Sequence, residues 1–381
     1  MLFSEVIGQE AIKQQLRQSV ADGRIPHAQL LYGKRGVGKL QLALAFAQYL
    51  ACENRTATDA CGHCPSCLQY SKLQHPDLHL MFPYTKEDQK DTSDTYISKF
   101  REFIINNTYF DLNDWQSALS AANKQTIIYE VESSILLRQL SMKAYGNGYK
   151  VAIIWHAEKM NEVCQNKLLK MLEEPPERTL FLLITERPEL LLTTILSRVR
   201  QIHVPQVDDQ DIALSLLASE RVETYQDAHA IAHIASGSYL KALKITGSDK
   251  KETENLELFR QLFTLATDIA INRQIDRITE LRKWSDTLAA KPRERQKDFL
   301  DYAGRQLREN YISNFQIPQI CYQTTDEQRF SRDFARFFSS NNISQLASEF
   351  ALAQRHIEQN ANSKIVLFDL CLKTTMYVKK K

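Results

Sequence analysis

The stretch Gly33-Lys34-Arg35-Gly36-Val37-Gly38-Lys39 constrains the fold of this chain more than any other feature. Glycines at this spacing let backbone N–H groups converge on phosphate oxygens, and the lysine adds a positive charge. Such a loop needs a strand before it and a helix after it. Gln29-Leu30-Leu31-Tyr32 reads as the strand, and Leu40 to Leu50 as an Ala/Leu-rich helix. Val151-Ala152-Ile153-Ile154-Trp155 and Leu180-Phe181-Leu182-Leu183-Ile184 are short continuous apolar runs, the pattern of strands buried on both faces. Between them Asn161 to Glu174 is helical in pattern and is stopped by Pro175-Pro176. Strand, helix, strand in this rhythm predicts an α/β P-loop domain with a parallel sheet and right-handed crossovers.

A chain of 381 residues exceeds one ordinary core, so two or three domains are expected. Strand signals fade from about Gln206, and Asp208 to Lys244 holds two or three short helical patterns, read as a small lid. The polar run Gly247-Ser248-Asp249-Lys250-Lys251-Glu252 reads as a linker. Beyond it the chain is all-helical in pattern. Phe259, Leu262, Phe263, Ala266 and Ile269 recur at helical steps, as do Ile365, Phe368 and Leu372 behind a Ser363 cap. The expected boundaries are 1–205 for the P-loop domain, 206–248 for the lid and 249–381 for the helical domain. Thr85 to Lys124 is polar and mixed, and reads as an insertion.

Composition narrows the class. Net charge is +2, from 48 basic and 46 acidic residues, so no global field marks a nucleic-acid binder, and any DNA contact must be local or shared. Met1 to Glu5 lacks the charged start of a secretory signal, and no stretch approaches the roughly 18 apolar residues of a membrane span. The expectation is a cytoplasmic protein. Its seven cysteines are then thiols or metal ligands rather than a disulfide framework.

Around the loop, groups needed for ATP hydrolysis are missing. A working loop follows its lysine with a Ser or Thr whose hydroxyl holds magnesium; Leu40 offers no ligand atom. The second apolar strand should end in acidic residues, and here it ends in Trp155-His156. Without metal positioning and an activated water, charge on the transferred phosphoryl group goes largely unopposed. Glu158 is either a substitute carboxylate or a solvated residue at a helix start; the second reading is the expected one.

Cys52, Cys61, Cys64 and Cys67 form a C-x8-C-x2-C-x2-C pattern. Two tight C-x2-C steps turn three thiolates inward and Cys52 supplies a fourth, closing a tetrahedral structural zinc site; an iron–sulfur cluster is the rival occupant. Cys164, Cys321 and Cys371 sit in helical patterns and read as core residues. In Thr193-Thr194-Ile195-Leu196-Ser197-Arg198-Val199-Arg200, both arginines are surface charges on one reading. On the other, Arg198 is a finger reaching into a neighbouring subunit's phosphoryl-transfer site.

Taken in order, several blocks resemble the clamp-loader branch of the AAA+ ATPases, closest to its delta-prime family in bacterial DNA polymerase III. They are Val6-Ile7-Gly8-Gln9, His27-Ala28, the loop Gly33–Lys39, the four cysteines and His75-Pro76-Asp77, followed by Asn166 to Pro176 and Ile195-Leu196-Ser197-Arg198. The resemblance implies a P-loop domain, a helical lid and a C-terminal domain that joins an oligomeric collar. It implies zinc at the four cysteines, and makes Ser197 and Arg198 the pair that projects into an adjacent motor's ATP site, with Val199 in place of the family's cysteine. Motor subunits keep the loop Thr, an Asp-Glu pair and an arginine in the lid's Gly-Ser-x-Arg stretch. Here those positions hold Leu40, Trp155-His156 and Gly237-Ser238-Tyr239-Leu240. Each departure implies a subunit that does not hydrolyse ATP and works with gamma/tau-like motors and a delta-like wrench to place a sliding clamp on primed DNA. Gly33, Gly36, Gly38 and Lys39 remain as a degenerate phosphate site. The competing readings are an active motor with an atypical metal site, and a zinc-dependent DNA-binding protein, for which Lys72 is a meagre basic contribution beside the cysteines.

Overall fold

The computed structural model describes residues 1–378 apart from 87, 89, 120–125, 146–147, 248–249, 316 and 318–320; the side chains of 250–252, 294 and 325 are likewise outside the description. The chain divides into two compact units, Met1–Glu220 with Ala235–Leu243, and Arg221–Ile234 with Lys244–Lys381.

The first unit is built on five strands, β1 (Ala28–Tyr32), β2 (Leu78–Met81), β3 (Lys150–Trp155), β4 (Thr179–Thr185) and β5 (Arg200–His203). All pair in parallel, in the order β2-β3-β4-β1-β5. Leu30 stands opposite Leu183 on one side and Gln201 on the other, which fixes the register at the centre. Every residue of β3 and β4 is buried, as their unbroken apolar runs predict. Strands β2 and β5 carry no such run. They lie at the edges, and β5 buries only Ile202 of its four residues.

Alternate strand residues feed two cores. Leu31, Ile153, Leu182 and Ile184 join one with Leu42 and Phe46, while Leu30, Ile154, Phe181 and Leu183 join the other with Leu136 and Leu168. The helices supplying these partners are α1 (Glu10–Ala21), α2 (Lys39–Ala51), α3 (Pro65–Ser71), α4 (Ser93–Asn106), α5 (Leu112–Ala118), α6 (Glu130–Leu140), α7 (Glu162–Glu173) and α8 (Thr193–Leu196). The expected helix before Pro175-Pro176 is α7. It starts where Asn161 Oδ1 accepts the Cys164 N–H at 2.8 Å.

The segment Thr85–Lys124, apart from residues 87, 89 and 120–124 outside the description, is folded rather than appended. Its helices α4 and α5 bring Phe100 and Trp115 onto Phe82 and Phe103 onto Trp115, with Phe82–Phe100 centroids 3.9 Å apart and Phe100–Trp115 at 4.9 Å. Phe110 closes this cluster against Trp155 at 5.1 Å. The aromatic rings are spread thinly among polar residues, so no periodic stripe announces them.

Helices α9 (Asp209–Ala218), α10 (Tyr225–Ala235) and α11 (Tyr239–Thr246) follow the sheet. The linker reading at 247–252 falls partly on residues outside the description, and Lys250 already begins a helix. The second unit continues through α12 (Lys250–Ala270), α13 (Ile278–Ala289), α14 (Arg293–Ser313), α15 (Thr325–Phe334), α16 (Ile343–Glu358) and α17 (Ser363–Val378). Phe259, Leu262, Phe263 and Ala266 are fully buried in its core, as their spacing predicts. The last helix corrects the sequence reading. Its buried face is Leu367, Leu370, Cys371, Thr374 and Val378, while Ile365 is 69% exposed. Its cap is Asn362, whose Oδ1 accepts the Lys364 N–H at 3.1 Å, not Ser363. Cys164 and Cys371 are buried in helices as expected, but Cys321 is half-buried outside any helix. No helix among the described residues is long and apolar enough to cross a membrane.

Candidate functional site

Strand β1 ends at Tyr32, and the chain turns through Gly33–Gly38 into α2, whose first residue is Lys39. The turn depends on Gly36 (φ +78°) and Gly38 (φ +92°), conformations that side-chain-bearing residues adopt at a cost. Lys39 is 7% exposed, and its Nζ donates to the carbonyls of Gly33 at 2.9 Å and Lys34 at 2.5 Å. The amine is therefore engaged by its own loop. Burial pulls its pKa down to about 8, against the opposing pull of the Glu186 and Glu158 carboxylates. Above the loop, the Leu240 N–H donates to the Gly36 carbonyl at 3.4 Å, and a Cβ on Gly36 would collide with Ser238 Oγ. The stretch Gly237-Ser238-Tyr239-Leu240 thus lies directly on the Gly33–Lys39 loop. Gln9, itself at φ +63°, ties the start of the chain to the same place, donating to the carbonyls of Pro205 at 2.7 Å and Val37 at 3.3 Å.

Leu40 is buried in the apolar core beside α2, and Trp155 is buried against Phe110 and Phe100. Both positions that would handle metal and water are committed to packing. His156 follows in the left-handed region (φ +55°) with its Nδ1 2.8 Å from Glu158 Oε1. Glu158 is not a solvated residue at a helix start: its side chain is only 3% exposed. Burial raises its pKa, but the hydrogen bond and charge of His156 outweigh that and hold it below the usual carboxylate range. Its second oxygen is buried without a hydrogen-bond partner. The proximity of Glu158 to Lys39 follows from the turn after β3 and is not legible as a motif.

The four cysteines gather as the pattern predicts, with their sulfurs all within 4.8 Å of one another. Cys61 Sγ and Cys67 Sγ are 3.9 Å apart, close to the about 3.8 Å edge of a tetrahedron of thiolates around one zinc-sized ion. Backbone N–H groups of Cys61, Cys64 and Cys67 point at the sulfurs of Cys52, Cys61 and Cys64, at 3.2, 3.3 and 3.4 Å. Such donors favour thiolates over thiols. The backbone N–H of His63 is the main reason the Cys61 thiol is pulled down to about 6, whereas burial pushes those of Cys52 and Cys67 up. The arrangement can hold a metal ion and leaves it buried: Cys52, Cys64 and Cys67 are at most 4% exposed.

Ser197 and Arg198 follow α8 on the surface. Arg198 Nη1 donates to the Thr194 carbonyl at 2.9 Å and to Ser197 Oγ at 3.2 Å, and Nη2 lies 2.6 Å from Glu173 Oε1 at the end of α7. Sequence reasoning singled out Arg198 but not Glu173. It also missed Tyr109, whose phenol reaches the loop from the 85–124 segment: its hydroxyl accepts the Ile7 N–H at 3.0 Å.

Comparison with known proteins fits this geometry. The family described as DNA polymerase III, delta subunit, matches residues 8–208. The tau/gamma subunit of DNA polymerase III from Haemophilus influenzae is 29% identical over 67% of this chain and 32% of its own length. Delta' subunits of the same polymerase are 31% identical, that of Bacillus subtilis over 50% of this chain and 45% of its own length, that of Pseudomonas aeruginosa over 63% and 62%. The chain thus spans about a third of the tau/gamma relative and under two thirds of these delta' relatives. With more than half of its residues matched in one continuous block that contains the loop, the cysteines and Arg198, the chain belongs to the DNA polymerase III delta-subunit family of clamp-loader proteins.

Proposed function

We propose that this chain is a clamp-loader subunit that does not turn over ATP and acts within an assembly of gamma/tau-like motors and a delta-like wrench subunit. In that assembly it helps place a sliding clamp on primed DNA in the cytoplasm. One observation carries the reading: Leu40 and Trp155 fill, with buried apolar side chains, the two positions where a hydrolysing loop needs oxygen ligands. Lys39, the remaining charged element, is turned onto its own loop. The all-helical region 249–381 serves as the collar that joins the other subunits, and 206–248 as the lid.

Within such a ring, Arg198 donates its guanidinium to the ATP site of the adjacent motor, with Ser197 beside it. Exposure of both residues after α8 supports this role. The ion at Cys52, Cys61, Cys64 and Cys67 is zinc. When bound it supplies a closed structural crosslink, and the chain contributes four sulfurs close enough for one centre. An iron–sulfur cluster spreads its four cysteines over several irons and needs them farther apart.

The test is ATP hydrolysis by the purified chain and by the complex rebuilt with motor and wrench subunits. The chain alone is expected to be inactive with or without primed DNA. Arg198→Ala is expected to lower ATPase and clamp loading of the complex. Steady turnover by the isolated chain that disappears in Lys39→Ala would instead establish an active motor, a reading for which Glu158, close enough to act on Lys39, is a carboxylate that follows β3.

A further inference from the structure

A nucleotide whose phosphates sat on the N–H groups of this loop would need the surface of Gly38, the cap of α2, for its path out of the loop. In this chain that surface is taken. The Tyr109 phenol lies over Gly38, with its hydroxyl 3.4 Å and ring edge 3.5 Å from where a Cβ would stand. Its hydroxyl accepts the backbone N–H of Ile7, so a main-chain donor beside the loop is also occupied.

The ring is held on every side. Tyr239, from the stretch lying on the loop, packs edge-on at 4.8 Å. Gln41 of α2 donates to the carbonyl of Thr108, the residue before the ring. Arg35 of the loop stands 3.6 Å from Asp111, a carboxylate that also caps α5 by accepting the N–H groups of Asn113 at 2.8 Å and Asp114 at 3.0 Å. Phe110, between them, is locked into the aromatic cluster against Trp155. Tyr109 itself is 8% exposed. Loop, α2, the lid stretch and the 85–124 segment thus all contribute a contact to the same four residues.

We infer that residues 108–111 are a resident plug of the degenerate nucleotide site, with the Tyr109 side chain occupying space that a bound nucleotide requires. The plug gives the 85–124 segment a role: it replaces the ligand that would otherwise order the loop, so the subunit presents one fixed shape whatever the nucleotide supply. This inference rests on the reading that the chain does not hydrolyse ATP, but it makes a separate claim about binding. A pocket open only a small fraction of the time binds with its affinity reduced by that fraction. Emptying the plug should therefore raise affinity by about tenfold or more.

The experiment uses the full chain and a fluorescent ADP, followed by anisotropy, with amide hydrogen exchange on the same samples. Wild type is expected to bind no ADP at millimolar concentration and to protect the Ile7 amide. Tyr109→Ala is expected to expose that amide and to bind ADP at least tenfold more tightly than wild type. Tyr109→Phe, which keeps the ring and loses the hydroxyl, should expose Ile7 while still excluding ADP. Wild type binding ADP as tightly as Tyr109→Ala would overturn the plug yet leave the hydrolysis reading standing; ATP turnover by wild type would overturn that reading instead. A folded Tyr109→Ala that still excludes ADP would also overturn the plug. Should Tyr109→Ala not fold, Asp111→Asn provides the same test by loosening the anchor with the ring in place, and unchanged ADP exclusion with a mobile 108–111 segment would refute the plug.

Discussion

Glu173 Oε1 lies 2.6 Å from Nη2 of Arg198, and this pair joins the end of α7 to the turn after α8. The two side chains are 48% and 36% exposed, and exposed ion pairs contribute only about 0–1 kcal/mol. Glu173 therefore orients the guanidinium without holding it firmly, which suits the proposed finger role, in which the guanidinium exchanges a carboxylate for a phosphoryl oxygen. In the isolated chain, Glu173→Ala is expected to change stability by less than about 1 kcal/mol by urea denaturation. In the rebuilt complex, Arg198→Ala should cut hydrolysis at the site it serves by on the order of 10³. Glu173→Ala should leave that rate intact or raise it, because a competitor for the guanidinium is gone. A loss matching that of Arg198→Ala would mean that the carboxylate is needed in the working geometry.

Lys39 makes stability depend on pH in a defined window. Its pKa is about 8 in the folded chain against 10.5 ordinarily, with burial as the main cause. Between those values the unfolded chain binds more protons than the folded one, so stability from this group rises with pH there and is lost as pH falls toward 8. Comparison with Lys39→Met isolates the effect. Wild type should gain on the variant by about 1–3 kcal/mol between pH 8 and pH 10 in parallel denaturation curves. Parallel pH profiles for the two proteins would contradict the buried, self-bonded amine.

How much of this was legible in the sequence follows from the kind of interaction involved. Contiguous signals translated directly: the unbroken runs of β3 and β4, the Pro175-Pro176 stop after α7, and the cysteine spacing all reappear in the structure. The edge strand β2, Leu78-His79-Leu80-Met81, escaped because a half-buried strand of four residues has too short a pattern to read. Ile365, Phe368 and Leu372 formed a plausible stripe, but α17 is apolar almost all round, so spacing alone could not choose its buried face. The burial of Glu158, expected to be solvated, and the placement of Tyr109 escaped for another reason. Their partners, His156 and Ile7, are set by a left-handed turn and by a contact across 102 positions, neither of which leaves a local trace.

Metal removal should act on structure rather than on chemistry. With no ion present, burial disfavours thiolates at Cys52 and Cys67, and the loop between α2 and α3 loses its crosslink. One zinc per chain is the expected content by mass spectrometry under native conditions. Chelation, or Cys67→Ser, should lower stability by more than about 2 kcal/mol, because Cys67 is fully buried and α3 has only seven residues to hold itself in place. A purified chain with iron and an absorption band near the visible would replace zinc with a cluster.

Restoring the missing ligands should fail to restore hydrolysis. Leu40→Thr introduces a hydroxyl where the magnesium ligand belongs, and Trp155→Asp returns a carboxylate to the end of β3. Trp155, however, is 5% exposed and sits within 5.5 Å of both Phe100 and Phe110, so the aspartate would enter an aromatic cluster, and the neighbouring His156 is already bonded to Glu158. A large aromatic lost from a core costs about 3–5 kcal/mol, and an unpaired buried carboxylate adds to that. The double variant is expected to unfold at markedly lower urea concentration and to show no ATPase, because Lys39 stays bonded to Gly33 and Lys34 and the loop is still covered by Ser238 and Leu240. On the proposed reading, then, ATPase function is not regained by changes at two positions. The deficit on that reading is distributed over the loop, the β3 end and the residues packed on both, and ATP turnover by a stable Leu40→Thr, Trp155→Asp chain would refute it.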